Sequence, residues 1–279
     1  MEKQEMITRF ENEMAKVNRP GVDKLMEYIR KSDFYTAPAS TKYHLACESG
    51  LLRHSLNVLD ALRGLLTPAY DTSGAFSGWE YKVAGVAAAT IPDESVIVMA
   101  LLHDICKTYF YKIAFRNVKN EQTGKWEKAP YFTIEDKMPL GHGAKSAMII
   151  KNYMELTNME MYAIWWHMGF NGEYENDTCV GSSIEKYPAV LALQTADMQA
   201  AKIMELEMTN REKFGDVEYQ PPQNIKAAIP GTEKKTKAKA KAKPKAKQEA
   251  EQEDDADFDF DEADYQDAPP LPSAPPEGE

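Results

Sequence analysis

Apolar residues recur at helical spacing along the first half of the chain. Met6, Phe10, Met14 and Val17 share one face over residues 2–17, and Val22, Leu25, Met26 and Ile29 share one over residues 21–31. Gly50 to Leu66 is a strongly apolar helix. Residues 68–80, PAYDTSGAFSGWE, read as a loop from their Pro, Gly, Ser and Asp content. Pro92 and Asp93 are start signals for a helix that should run to about Lys107. The pattern then changes. YFYKIAFRNV and KWEKAPYFTI are aromatic and β-branched and flank the turn-like NEQTG, which predicts a β-hairpin at about 109–118 and 125–134. Helices should resume at about 143–156, 158–168 and 187–206. Thr157 and Glu160 form a capping box for the second of these, and Pro188 opens the third.

These elements predict an all-α bundle with one small hairpin insertion. Its expected parts are N-terminal helices over 1–39, a helical domain over 40–206, an extended linker over 207–230 and a tail over 231–279. The tail opens with KKTKAKAKAKPKAK, continues through an acidic run holding Phe258, Phe260 and Tyr265, and ends Pro-rich. Such a composition buries too little apolar surface to offset ordering entropy, so the tail is expected to be disordered. It would either solubilise the chain or recruit a protein partner with a basic, apolar-lined pocket.

Charge sharpens this division. The 279 residues include 33 Lys+Arg and 44 Asp+Glu, a net −11. The tail alone has 8 Lys against 14 acidic residues, so the body is only mildly acidic. That balance weighs against an extended grip on duplex DNA, which needs a basic surface. It leaves room for a small phosphorylated ligand. The longest apolar run, Val96 to Leu102, is far short of the roughly 18 residues of a membrane span. The amphipathic N-terminus lacks the apolar core of a secretory signal. Three scattered cysteines, Cys47, Cys106 and Cys179, form neither a disulfide framework nor a CxxC site, so the expected compartment is the cytoplasm.

The candidate chemistry lies in an ordered set of ionisable residues. His54 shares a helix face with Leu51, Val58 and Ala61. His103 and Asp104 close the run VIVMALL. Asp197 shares a face with Leu193, Ala200 and Met204. Three apolar helices thus aim ionisable groups at the core. A buried carboxylate without a partner costs several kcal/mol or more, and a metal ion would satisfy all of these groups together. Imidazole and carboxylate ligands suit Mn, Fe, Ni or Zn. Lys107, one turn beyond His103 and Asp104, is placed to hold a substrate phosphate. Lys145, one turn after His142, is a second phosphate candidate. His44 falls outside the set.

This pattern resembles the HD-domain metal-dependent phosphohydrolases. HDICK resembles their HD-[I/L]-G-K signature. SGLLRHSLNVLDAL, PLGHGAKSAMII, AIWWHMG and LQTADMQAAK resemble the other ligand-bearing segments, over about residues 40–206. The likeness is greatest to the HD domains of bacterial 3′–5′ exoribonucleases and related bacterial and phage hydrolases. It implies that His54, His103, Asp104 and Asp197 hold one divalent metal. It further implies that His142 and His167 serve a second, bridged by Asp104. Cys106 stands where the signature has Gly, and the exoribonucleases' N-terminal RNA-binding OB-fold has no counterpart here. The implied activity is hydrolysis of a phosphoester or phosphoanhydride of a nucleotide or similar small molecule, by hydroxide from water whose pKa the metal lowers toward about 7. Asp104 and Lys107 would be catalytic. Lys107, Lys145 and, from the hairpin, Arg116 would bind substrate, with Lys112, Lys119, Lys125 and Trp126 as further hairpin contacts. The alternatives are a 3′–5′ exonuclease on single-stranded RNA or DNA, and a non-catalytic binding protein recruited through its acidic tail.

Overall fold

The computed structural model describes residues 2–120, 124–170, 172 and 174–205. The chain divides into units Met1–Gln223 and Asn224–Glu279, and only the first contains described residues. The predicted linker and disordered tail lie outside them.

The helices are α1 (Lys3–Met14), α2 (Val22–Lys31), α3 (Gly50–Leu65), α4 (Asp93–Leu102), α5 (His142–Lys151), α6 (Asn158–Trp165), α7 (Tyr174–Lys186) and α8 (Ala189–Gln199). A 3-10 turn (Ile105–Lys107) follows α4, and a π-helical turn (Ala200–Met204) follows α8. The centre is α4. Every residue from Ser95 to Leu102 is buried, which matches a helix that is apolar all round. Around it pack α3, α6 and α1, with α8 against α3 and α6, and α5 against α6.

The expectation of an all-α fold is overturned. Two antiparallel sheets are present: β1 (Leu66–Tyr70), β2 (Phe76–Val83) and β3 (Val86–Ile91) form one in that order, and β4 (Tyr111–Lys119) and β5 (Trp126–Ile134) form the other. About half of the described residues are helical, and the fold is mixed α/β. The three-stranded sheet occupies the segment read as a loop. Its Gly, Ser and Asp residues are turn-formers, but they sit between strands. Asp71 Oδ1 accepts from the amides of Ser73 and Ala75, closing the first turn. Ala84 and Gly85 both have positive φ, as a two-residue hairpin turn requires. Between these turns Trp79 and Tyr81 alternate toward the core, paired with Ile91 and Leu66. The Trp79 indole donates to Asp93 at 2.7 Å, tying the sheet to the start of α4. The β4–β5 hairpin pairs Tyr111 with Ile134 and Lys119 with Trp126.

The N-terminal helices share the core of the body. Met6, Phe10, Met14, Leu25 and Ile29 are buried in the same cluster as α3 and α4. Arg19, between α1 and α2, forms a two-pronged ion pair with the buried Glu160 at 2.8 and 2.9 Å, and a third bond reaches Glu94 at 2.9 Å. Glu160 is also the N3 residue of the Thr157 capping box that starts α6. No helix among the described residues is long and apolar enough to cross a membrane.

Candidate metal centre

The predicted helix 93–107 does not run through. It ends at Leu102, and the chain turns at His103 and Asp104 into the 3-10 segment. This turn directs both side chains to one side of α4, where α3 brings His54 and α8 brings Asp197. The Nε2 atoms of His54 and His103 are 3.3 Å apart. Asp197 Oδ1 lies 3.1 Å from His54 Nε2 and 4.0 Å from His103 Nε2. Asp104 Oδ2 lies 3.5 Å from His54 Nε2 and 3.4 Å from His103 Nε2. His167, just past α6, closes the group with its Nε2 at 3.7 Å from Asp104 Oδ1.

The hydrogen bonds on the far side of each ring set its orientation. His103 donates Nδ1–H to the carbonyl of Ala100 at 2.9 Å, His167 donates to Ile164 at 2.7 Å, and His54 donates to Glu205 Oε1 at 2.9 Å. Each Nε2 therefore faces inward, an arrangement typical of imidazoles that ligate metals. The buried His167 Nε2 has no hydrogen-bond partner among the described residues. Carboxylates are acceptors only. Three imidazole nitrogens and two carboxylates converge, and these overlapping groups can hold a metal ion. The donor set fits a divalent transition metal.

Electrostatics agree with the geometry. Burial opposes a charged His54, but its bonds to Asp197 and Glu205 outweigh burial and raise it to about 9. Without a metal, a proton on His54 thus partly offsets the carboxylates. Burial, together with the neighbouring His103 ring, pushes His167 down to about 4. Burial also works against the charge on Asp104, yet Lys107 and His103 hold that carboxyl well below its usual range. Asp197 is likewise lowered, by His54 and His103 against burial. Lys107 Nζ sits 2.7 Å from Asp104 Oδ2.

The other predicted residues fall elsewhere. His142, at the start of α5, is apart from the ligand groups. Its Nδ1 is 3.6 Å from Cys106 Sγ, and its ring meets Phe110 edge-on. Burial pushes the Cys106 thiol up to about 12. Lys145 is 3% exposed and bonds both oxygens of Asp136 at 2.6 Å. Arg116, exposed on β4, lies over the Tyr131 ring.

Two further residues take part: His44, which the sequence leaves as either a surface residue or a neighbour of the ligands, and Glu205, which the sequence does not single out. His44 and Glu205 meet at 2.5 Å beside His54. Glu205 follows the π-helical turn, whose extra residue per turn leaves no mark in apolar spacing, and the neighbouring Glu207 is indistinguishable by type.

No family model, no curated protein and no solved structure matches this chain. The fold and site define a mixed α/β protein with a buried His/Asp cluster compatible with metal binding.

Proposed function

We propose that this chain is a metal-dependent phosphohydrolase acting on a nucleotide or related small phosphoester, as its resemblance to HD-domain enzymes implies. The observation that carries this reading is the inward convergence of three imidazole Nε2 atoms and two carboxylates. His54, His103, Asp104 and Asp197 would hold the metal, with His167 at its edge. A bound divalent ion supplies Lewis acidity, polarising a phosphoryl group and acidifying water. Asp104 contributes a carboxylate that stays ionised beside Lys107. Lys107 sets an ammonium next to the cluster, where it can donate to a phosphoryl oxygen as a further partner. Lys145 is held by Asp136 and Arg116 lies out on the hairpin, so of the three predicted phosphate contacts Lys107 is the one that touches the cluster.

The test uses full-length protein purified without chelators. Bound Mn, Fe, Ni or Zn is expected on elemental analysis, and Asp104→Ala should lose both metal and turnover. A panel with added Mn²⁺ should compare a phosphomonoester, a phosphodiester, dNTPs, cyclic nucleotides and short RNA. Release of phosphate or tripolyphosphate from a small nucleotide supports the proposal. Stepwise loss of nucleotides from RNA would favour the exonuclease alternative. Metal binding without hydrolysis of any of these would favour a binding protein. The absence of both bound metal and hydrolysis would overturn the reading.

A further inference from the structure

His54 is gripped on both edges of its ring by one stretch of chain. Asp197, on α8, faces Nε2 at 3.1 Å, while Glu205, eight residues later, accepts Nδ1–H at 2.9 Å. An intervening π-helical turn, Ala200–Met204, carries the backbone from one edge to the other. Such turns recur at functional sites because they re-aim side chains without ending a helix.

The surroundings of Glu205 are specific. Its carboxylate is fully buried and faces no Lys or Arg among the described residues within ion-pair distance. Its three partners are His54 Nδ1, His44 Nδ1 at 2.5 Å and Asn57 Nδ2 at 3.1 Å. Asn57 lies one turn beyond His54 on α3, and the His44 and His54 rings meet edge to face. Burying a carboxylate against imidazoles is an expensive way to hold two segments together, because desolvation of the charge is only partly returned. The same arrangement is an effective way to fix an imidazole and raise its basicity as a ligand.

We infer that Glu205 is the positioning residue for His54. By accepting the hydrogen bond from Nδ1–H it fixes the ring with Nε2 toward Asp197 and His103, ready to ligate. The inference rests on the reading of the cluster as a metal centre. His44 supports it by satisfying the second carboxylate oxygen, which leaves Oε1 for His54.

The test measures Mn²⁺ affinity by chelator competition, and thermal stability without metal, for full-length wild type, Glu205→Ala and Glu205→Gln. Loss of an outer partner of this kind weakens metal binding by about 10–100-fold. That loss is expected for Glu205→Ala at similar metal-free stability, with Glu205→Gln, which keeps one acceptor, in between. A purely structural Glu205 would lower metal-free stability and leave the affinity of the folded protein unchanged. If wild type binds Mn²⁺ and both variants bind within twofold of it, the inference is overturned. Should Glu205→Ala not fold, Glu205→Gln decides on the same criterion. If wild type itself binds no divalent ion, the metal-centre reading fails first and takes this inference with it.

Discussion

Asp197 Oδ1 stands 3.1 Å from His54 Nε2, and this contact joins α8 to α3 across the buried face of α4. Asp197→Asn preserves the side-chain volume but replaces one acceptor oxygen with a donor. It should weaken metal affinity by roughly 100-fold or more, at or above the upper end for outer-shell partners. Chelator competition on the folded variant measures it, and an unchanged affinity would remove Asp197 from the ligand set.

Gly143 marks a second sensitive point. A Cβ there would meet the carbonyl oxygens of Trp165 at 1.9 Å and Ile164 at 2.5 Å. The Ile164 oxygen is also the acceptor that orients His167. Gly143→Ala should therefore separate α5 from α6 and cost about 1–3 kcal/mol, the range for overpacked sites. Because the displaced carbonyl holds His167, metal affinity should fall with stability. Full stability by denaturant titration would show that the helices part without strain.

The Arg19–Glu160 pair should behave as a buried ion pair. Arg19→Ala leaves the fully buried Glu160 carboxylate without its main cation, and breaking such a pair costs about 3–5 kcal/mol. Adding Glu160→Gln should recover part of that loss. If the double variant is no more stable than Arg19→Ala, the penalty does not arise from the unpaired charge.

Acid should uncouple α1 from α3. Hydrogen bonds from Arg63, and then Lys16, outweigh burial and hold Glu13 at about 2, against an ordinary value of 4.5. A carboxyl lowered by folding stabilises at pH above its unfolded value and loses that contribution as pH falls toward its folded value. The Glu13 contribution, at most about 3 kcal/mol by linkage and less once solvent screening of this partly exposed pair is counted, should be complete at neutral pH and fade between about 4.5 and 2. Urea midpoints of wild type and Glu13→Gln should therefore differ at pH 7, draw together below about pH 4.5 and converge only near pH 2. A gap that ignores pH would point to packing instead.

Much of the helical framework was legible because its signals are local. Met6, Phe10 and Met14 repeat at helical spacing, Asp93 begins α4, and the Thr157–Glu160 box opens α6. The first sheet was not legible. Its turn residues dominate the composition of residues 68–80, while only Trp79 and Tyr81 carry the alternation that turns the segment toward the core. Burial of those two side chains is a tertiary event. The α7 helix was also missed, since its segment is polar and Gly- and Ser-containing.

The site divides in the same way. By itself the sequence determined which side chains lie on apolar helix faces, and that brought His54, His103, Asp104 and Asp197 into view, while the family resemblance added His167. It also placed Lys107 one turn beyond Asp104, where the two pair. Only the tertiary structure decided which candidates meet. His142 turns to Cys106, Lys145 is taken by Asp136, and Glu205 arrives from beyond a π turn to hold His54. The physical reason is range. Periodicity and capping act over a few residues, whereas ligand convergence depends on how separate helices pack and on small changes in helical pitch between them.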